Sequence, residues 1–82
     1  MAQSLAGQQG ALAHHVETFL RLEDVKTATG LGRSTIYLLM AEASFPKPVK
    51  LNGEGGKAVA WLASEIAEWQ RQRVAARDRA AA

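Results

Sequence analysis

The apolar positions change period twice along the chain. Leu22, Val25, Ala28 and Leu31 recur at intervals of three, the spacing of one side of a helix. Glu23 and Asp24 stand where a helix N-terminus favours negative charge, and Gly30 supplies at little cost the positive φ that often ends a helix. A short first helix is therefore predicted near 23–29. Gly32 is a tolerable N-cap for a second, with Ser34 and Thr35 in its first turn. That helix is predicted to run to about Ala43. "FPKPV" then stops it, because Pro46 and Pro48 lack an amide hydrogen and favour extended neighbours. Two helices joined by three or four residues, with glycine at the join, pack at a steep angle, which is helix-turn-helix geometry.

The period then drops to two. Val49 and Leu51 alternate with Lys50, and Val59 and Trp61 alternate with Ala58 and Ala60, as in half-buried strands. Between them "NGEGGK" is rich in turn formers. A two-stranded hairpin is predicted, with Val59 and Trp61 inward; it must pack on the helices, since such a hairpin is unstable alone. "TFLRL", residues 18–22, reads as a short extended lead-in. A last helix is predicted over 62–78: Leu62, Ile66 and Trp69 form one stripe, and Glu65 and Glu68 early with arginines late suit the macrodipole. Beyond Val74 the stripe ends, so residues 79–82 are expected to fray. Residues 1–17, rich in Gln, Gly and Ala, read as a mobile tail. The expected fold is mainly α with a small β-hairpin, one domain over 18–78.

One face does not fit a plain core helix. On a wheel at 100° per residue, Ile36, Leu39, Met40 and Ala43 share one side of the second helix. Ser34, Tyr37, Leu38 and Ala41 take the other, with Arg33 at the rim and Glu42 the one clear charge. Such a smooth outer face suits close approach to a major groove, where Arg reaches guanine, Ser bonds either way and apolar groups touch the thymine methyl. It also suits packing of Tyr37 at the core edge, or of Leu38 against the tail or a second subunit.

Composition narrows the classes. A chain of 82 residues buries little core and makes a deep, water-excluding pocket improbable. It has no cysteine to brace it, which suits a reducing cytoplasm. No apolar run reaches the roughly 20 residues that span a bilayer, and the start of the chain lacks the pattern of a secretory signal. A cytoplasmic protein, at the nucleoid when bound to DNA, is expected. The net charge is only +2, but Arg33, Lys47, Lys50 and Lys57 lie along the middle and Arg71, Arg73, Arg77 and Arg79 crowd the end. Clustered basic residues are what a phosphate-binding surface needs, and also what solubility needs.

"LRLEDVKTATGLGRSTIYLLM", then "FPKPVKL", then "AVAW" followed by "SEIAEW" carry a resemblance over about Phe19 to Arg77. The chain resembles the AlpA family of small phage and prophage regulators and, more distantly, excisionases and MerR-type winged-helix domains. The resemblance implies a winged helix-turn-helix on duplex DNA, its second helix in the major groove and its hairpin a wing against the backbone or minor groove. Carried over by position, it makes Arg33, Ser34, Thr35 and Tyr37 groove contacts, with Leu38 on the same face, and Lys47, Lys50 and Lys57 phosphate contacts. The chain departs from the family in having Leu38 where arginine is common after the tyrosine, Lys57 where arginine usually precedes "AV.W", and a long hairpin tip carrying Glu54.

Other chemistry falls away. "GEGGKA" is no phosphate loop, since Leu51 and Ala58 stand where that motif needs Gly and Ser or Thr. His14 and His15 are adjacent, and no cluster joins them into a metal site. No serine is coupled by motif to a His and an Asp. No catalysis, cofactor or small-molecule ligand is expected. The expected function is that of a sequence-specific DNA-binding regulator of a phage or mobile element, with self-association on repeated half-sites plausible for so small a reader. An excisionase-type architectural protein shares the fold. A protein-interaction module using Tyr37, Leu38 and Ala41 is the reading from another class.

Overall fold

The computed structural model describes residues 16–81. Three helices and three short strands follow in the order β1 (Phe19–Leu20), α1 (Leu22–Thr29), α2 (Arg33–Ala41), β2 (Val49–Lys50), β3 (Val59–Leu62) and α3 (Ala63–Ala81). The strands form one antiparallel sheet in the order β1-β3-β2. The architecture is mainly helical with a small sheet, and it is compatible with a helix-turn-helix carrying a hairpin. The tail expected over 1–17 lies, except for Val16 and Glu17, outside the described residues, as do His14 and His15.

The expected first helix is present, one residue longer at its start. Arg21 is its extended N-cap, and the Asp24 carboxylate accepts the Arg21 amide at 3.2 Å. Gly30 ends it at φ 76°, its amide bonded to the Lys26 carbonyl at 2.8 Å. Val25 is fully buried and Leu22 and Leu31 pack on the core, whereas Ala28 stays exposed. Gly32 is the N-cap of α2, as expected.

The end of α2 corrects the sequence reading. The helix stops at Ala41, and Ala43 is not on its buried side but exposed beyond it, at φ 60°. The Ser44 amide donates to the Leu39 carbonyl at 2.8 Å and the Ala43 amide to the Met40 carbonyl at 3.0 Å. These two bonds make a Schellman motif, whose left-handed position glycine usually fills. The prolines therefore lie downstream of a stop the backbone has already made.

The sheet also departs from expectation. The hairpin is present, with Val49 opposite Ala60 and Lys50 opposite Val59, but it is not two-stranded. The lead-in segment joins it: Phe19 pairs with Leu62 and Leu20 with Trp61. Two residues are too few to show an alternation, so this strand had no pattern to read. β3 is sealed on both faces, with Trp61 and Ala60 both fully buried and Val59 partly so. Val49 and Leu51, expected to be half-buried, are 38 % and 40 % exposed.

Val25, Ile36, Phe45, Trp61 and Ile66 form the buried cluster, ringed by Leu20, Leu39, Met40, Val59 and Trp69 among others. Both indoles reach out of it to one segment. Trp61 Nε1–H donates to the Pro46 carbonyl at 3.0 Å and Trp69 Nε1–H to the Ser44 carbonyl at 2.9 Å. Phe45 lies between, its ring edge-on to Trp69 with centroids 4.9 Å apart.

The last helix begins at Ala63 and continues to Ala81, so Leu62 belongs to the sheet and residues 79–81, expected to fray, are helical. Its N-terminus is capped from outside. Glu17, placed in the tail by its sequence, accepts the Ser64 amide at 3.0 Å and the Ser64 hydroxyl at 2.8 Å, while the Ala63 amide donates to the Thr18 carbonyl at 2.9 Å. The Ser64 amide, then its hydroxyl, hold the Glu17 carboxyl below its ordinary value of 4.5.

Two outcomes follow. Replacing Ala43 with Gly relieves a left-handed alanine and is expected to raise stability by about 1 kcal/mol, read as a higher urea midpoint. Glu17→Gln is expected to lower the melting temperature at neutral pH. Because the folded carboxyl titrates lower than the unfolded one, its contribution is present above pH 4.5 and fades as pH falls through the folded value. Wild type and variant should therefore converge in acid; a gap unchanged down to pH 3 would remove the charge from the account.

Candidate nucleic-acid interface

Helix α2 divides along the two sides of its wheel. Ile36 is fully buried and Leu39 and Met40 pack against the core, while Arg33, Ser34, Thr35, Tyr37, Leu38 and Ala41 are exposed. The sequence positions singled out on this helix thus share its solvent side. Leu38 is the most open of the large apolar ones, at 57 % exposure against 40 % for Tyr37.

Tyr37 is held from both sides. Its ring meets the buried Trp61 edge-on, with centroids 6.5 Å apart and planes at 78°. The Arg33 guanidinium lies 5.6 Å from its ring centre, an arrangement worth about 0.5–1 kcal/mol at an exposed site. A guanidinium, a phenol and an indole thereby form a stack from solvent to core. The four-residue spacing of Arg33 and Tyr37 was the available signal for this contact. The contact with Trp61 had none, since it depends on how β3 crosses α2.

The lysines do not behave as one group. Lys50 turns back within the hairpin, its Nζ donating to the Glu54 carbonyl at 3.1 Å. Lys57 is exposed on the same hairpin, just before Ala58, whose carbonyl accepts the Leu51 amide at 2.8 Å. The hairpin tip turns through Gly53, at φ 86°, with the Gly56 amide bonded to the Gly53 carbonyl. Lys47 sits elsewhere: with Phe45 and Trp69 it lines a shallow groove whose opposite wall carries Glu65 and Glu68.

Charge on α3 is partly spent internally. Arg71 bonds Glu68 at 2.7 Å and Arg77 bonds Asp78 at 2.9 Å. The Arg71 contact holds the Glu68 carboxyl below its ordinary range. Arg73 and Arg79 are exposed and make no ion pair among the described residues. Gln70 stitches α3 to α1 by donating to the Ala28 carbonyl at 3.0 Å. Among the described residues no three His, Cys, Asp or Glu converge on a metal-sized site, and no helix is long and apolar enough to cross a membrane.

The comparisons with known proteins agree with one another. A protein of Enterobacteria phage P4, described as uncharacterized protein ORF88, is 49 % identical over 63 residues, covering 77 % of this chain and 68 % of that one. The DNA-binding transcriptional activator AlpA of Escherichia coli K12 is 42 % identical over 60 residues, covering 66 % of this chain and 81 % of its own length. No solved structure gives a significant match. The family profile described as prophage CP4-57 regulatory protein (AlpA) matches residues 18–74, from the Thr18 carbonyl that receives the start of α3 to Val74 on that helix, and the chain belongs to this AlpA family.

Proposed function

We propose that this protein is a phage or mobile-element transcriptional regulator that binds duplex DNA as a winged helix-turn-helix. In this reading α2 enters the major groove and the β2–β3 hairpin is the wing. The observation that carries it is the solvent side of α2: Arg33, Ser34, Tyr37, Leu38 and Ala41 are exposed together, with Glu42 at the C-cap the one acidic side chain beside them, on a helix whose other side is locked into the core. A helix of this kind is rigid and smooth enough to follow a groove. Membership of a family of regulators and likeness to a DNA-binding activator support the same conclusion. No catalytic step is part of it.

The roles divide by chemistry. Arg33, Ser34 and Thr35 occupy the first turn, where recognition helices meet base edges. Tyr37 steadies Arg33 through the contact of its ring with the guanidinium. Lys57, and Lys50 once released from the Glu54 carbonyl, contact phosphates and supply affinity without sequence information. Lys47 faces a groove shared with two glutamates, so its contribution is the smallest of the three. The reader is small for a single specific site, and two copies on repeated half-sites would supply the missing surface.

Two measurements test the reading. In selection from a random duplex library followed by titration, Arg33→Ala is expected to flatten the sequence preference while keeping non-specific binding; a uniform loss at all sequences would make Arg33 a phosphate contact. Affinity should fall steeply with added salt, and Lys57→Ala should reduce the slope of log affinity against log salt by about 1. A salt-independent affinity for a protein partner, with no binding to duplex, would sink the DNA reading in favour of an interaction module.

A further inference from the structure

Leu38 is a large apolar side chain on the side of α2 that faces away from the core, and among the described residues it takes no part in the buried cluster. Its exposure is 57 %, and it is absent from the residues packed on the buried cluster. Its surroundings are specific. Ser34, Leu38 and Ala41 fall at i, i+4 and i+7, so they lie in one row along the helix. The adjacent row holds Arg33 and Tyr37, where the guanidinium is drawn over the phenol ring. The cation of the face is thus held to one side, and its one carboxylate, Glu42, lies past the end of the helix at the C-cap. The row beside it consists of a hydroxyl, a leucine and a methyl group.

We propose that Leu38 is a specificity-determining residue that recognises the 5-methyl group of a thymine in the major groove. The inference rests on the proposed groove reading and adds which base this row selects. Three arguments carry it. First, the small neighbours Ser34 and Ala41 let the backbone of α2 come close, which a leucine needs in order to reach a methyl group on the groove floor. Second, a leucine offers no hydrogen bond, so among the base edges of the major groove the thymine methyl is the one apolar feature it can bury itself against. Cytosine presents an amino group at the neighbouring position, and desolvating that group against leucine disfavours it. Third, the patch is the wrong size for a protein partner. A stable protein interface covers about 800 Å² on each side, and this row supplies one large apolar side chain between a serine and an alanine. It is the right size for one methyl group.

The alternative role of lost affinity, in which Leu38 merely replaces a basic phosphate contact, makes a different prediction. A residue that contacts nothing leaves no trace in the base preference. A methyl reader leaves a trace at one position and in one chemical group.

The test uses the full chain. Selection from a random duplex library is run with wild type and with Leu38→Ala, which is conservative for the fold because the side chain is exposed. The wild-type motif should contain a fixed thymine whose preference disappears in Leu38→Ala while the rest of the motif persists. Each thymine of the selected site is then replaced singly by uracil, which removes the methyl group and leaves the hydrogen-bonding edge unchanged. At the position read by Leu38, wild-type affinity should fall about fourfold, the factor expected for one buried methyl group. The Leu38→Ala protein should not distinguish the two bases. The inference is overturned if no single uracil replacement weakens wild-type binding, or if Leu38→Ala keeps the full thymine preference. If wild type enriches no motif at all, the groove reading fails and takes this inference with it. If a motif is enriched but is indifferent to uracil, the groove reading stands and the role of Leu38 alone is refuted.

Discussion

Two indole N–H groups and the segment they hold are what the rest of the domain depends on. Trp61 reaches from β3 to the Pro46 carbonyl, Trp69 reaches from α3 to the Ser44 carbonyl, and Phe45 is buried between them. Residues 44–46 lie in the link from α2 to the hairpin, and with Pro46 and Pro48 that link has few amide hydrogens with which to fix itself. The part-buried Pro46 carbonyl needs a partner, which Trp61 supplies, and Trp69 ties down the more open Ser44 carbonyl. The same tryptophans are bulky enough to fill the centre of a core this small. Trp61 then faces Tyr37, so the ring that anchors the link also supports the outer face of α2. Packing, linkage and the presentation of the candidate interface converge on one side chain.

Much of this was legible in the chain, where periodicity or a special backbone residue announced it. The apolar spacing through Leu22, Val25 and Leu31, the stop at Gly30 and the start at Gly32 placed α1 and the beginning of α2 to within a residue. The wheel separated Ile36, Leu39 and Met40 from Tyr37 and Leu38 because a helix this regular leaves its faces no choice. What escaped was non-local or chemically quiet. The pairing of Phe19 with Leu62 joins positions far apart in sequence across a two-residue strand. The left-handed conformation of Ala43 is written in no side-chain preference. The extension of α3 to Ala81 was hidden by reading only apolar stripes: its last turns are alanine and arginine, strong helix formers that need no core to favour the conformation.

The candidate interface shows the same division. Exposure of Arg33, Ser34, Tyr37, Leu38 and Ala41 followed from the wheel, but the grouping of charges did not. Lys47, Lys50 and Lys57 look equivalent as a list of basic residues. In the fold all three are exposed, but Lys47 shares a groove with Glu65 and Glu68, Lys50 bonds a carbonyl of its own hairpin, and Lys57 makes no ion pair among the described residues. With a net charge of only +2, where each cation sits matters more than how many there are, and position is a tertiary property.

The closure of β1 onto β3 has a consequence in time. Most of the domain is built from neighbours in sequence: α1 beside α2, the hairpin strands beside each other, α3 directly after β3. The long-range backbone pairing lies at one seam, where Phe19 and Leu20 meet Leu62 and Trp61 and Thr18 receives the Ala63 amide, with the Glu17 carboxylate receiving Ser64 beside it. Closing a loop of that length costs chain entropy that local contacts do not. The seam is therefore the natural late step of folding and the natural first step of local opening. Because it ends on the first turn of α3, its release removes a strand and a helix cap in one event. The N-terminal edge thus serves as a latch on the longest helix, and through Trp61, which pairs with Leu20 and meets Tyr37, the same edge is tied to the α2 face.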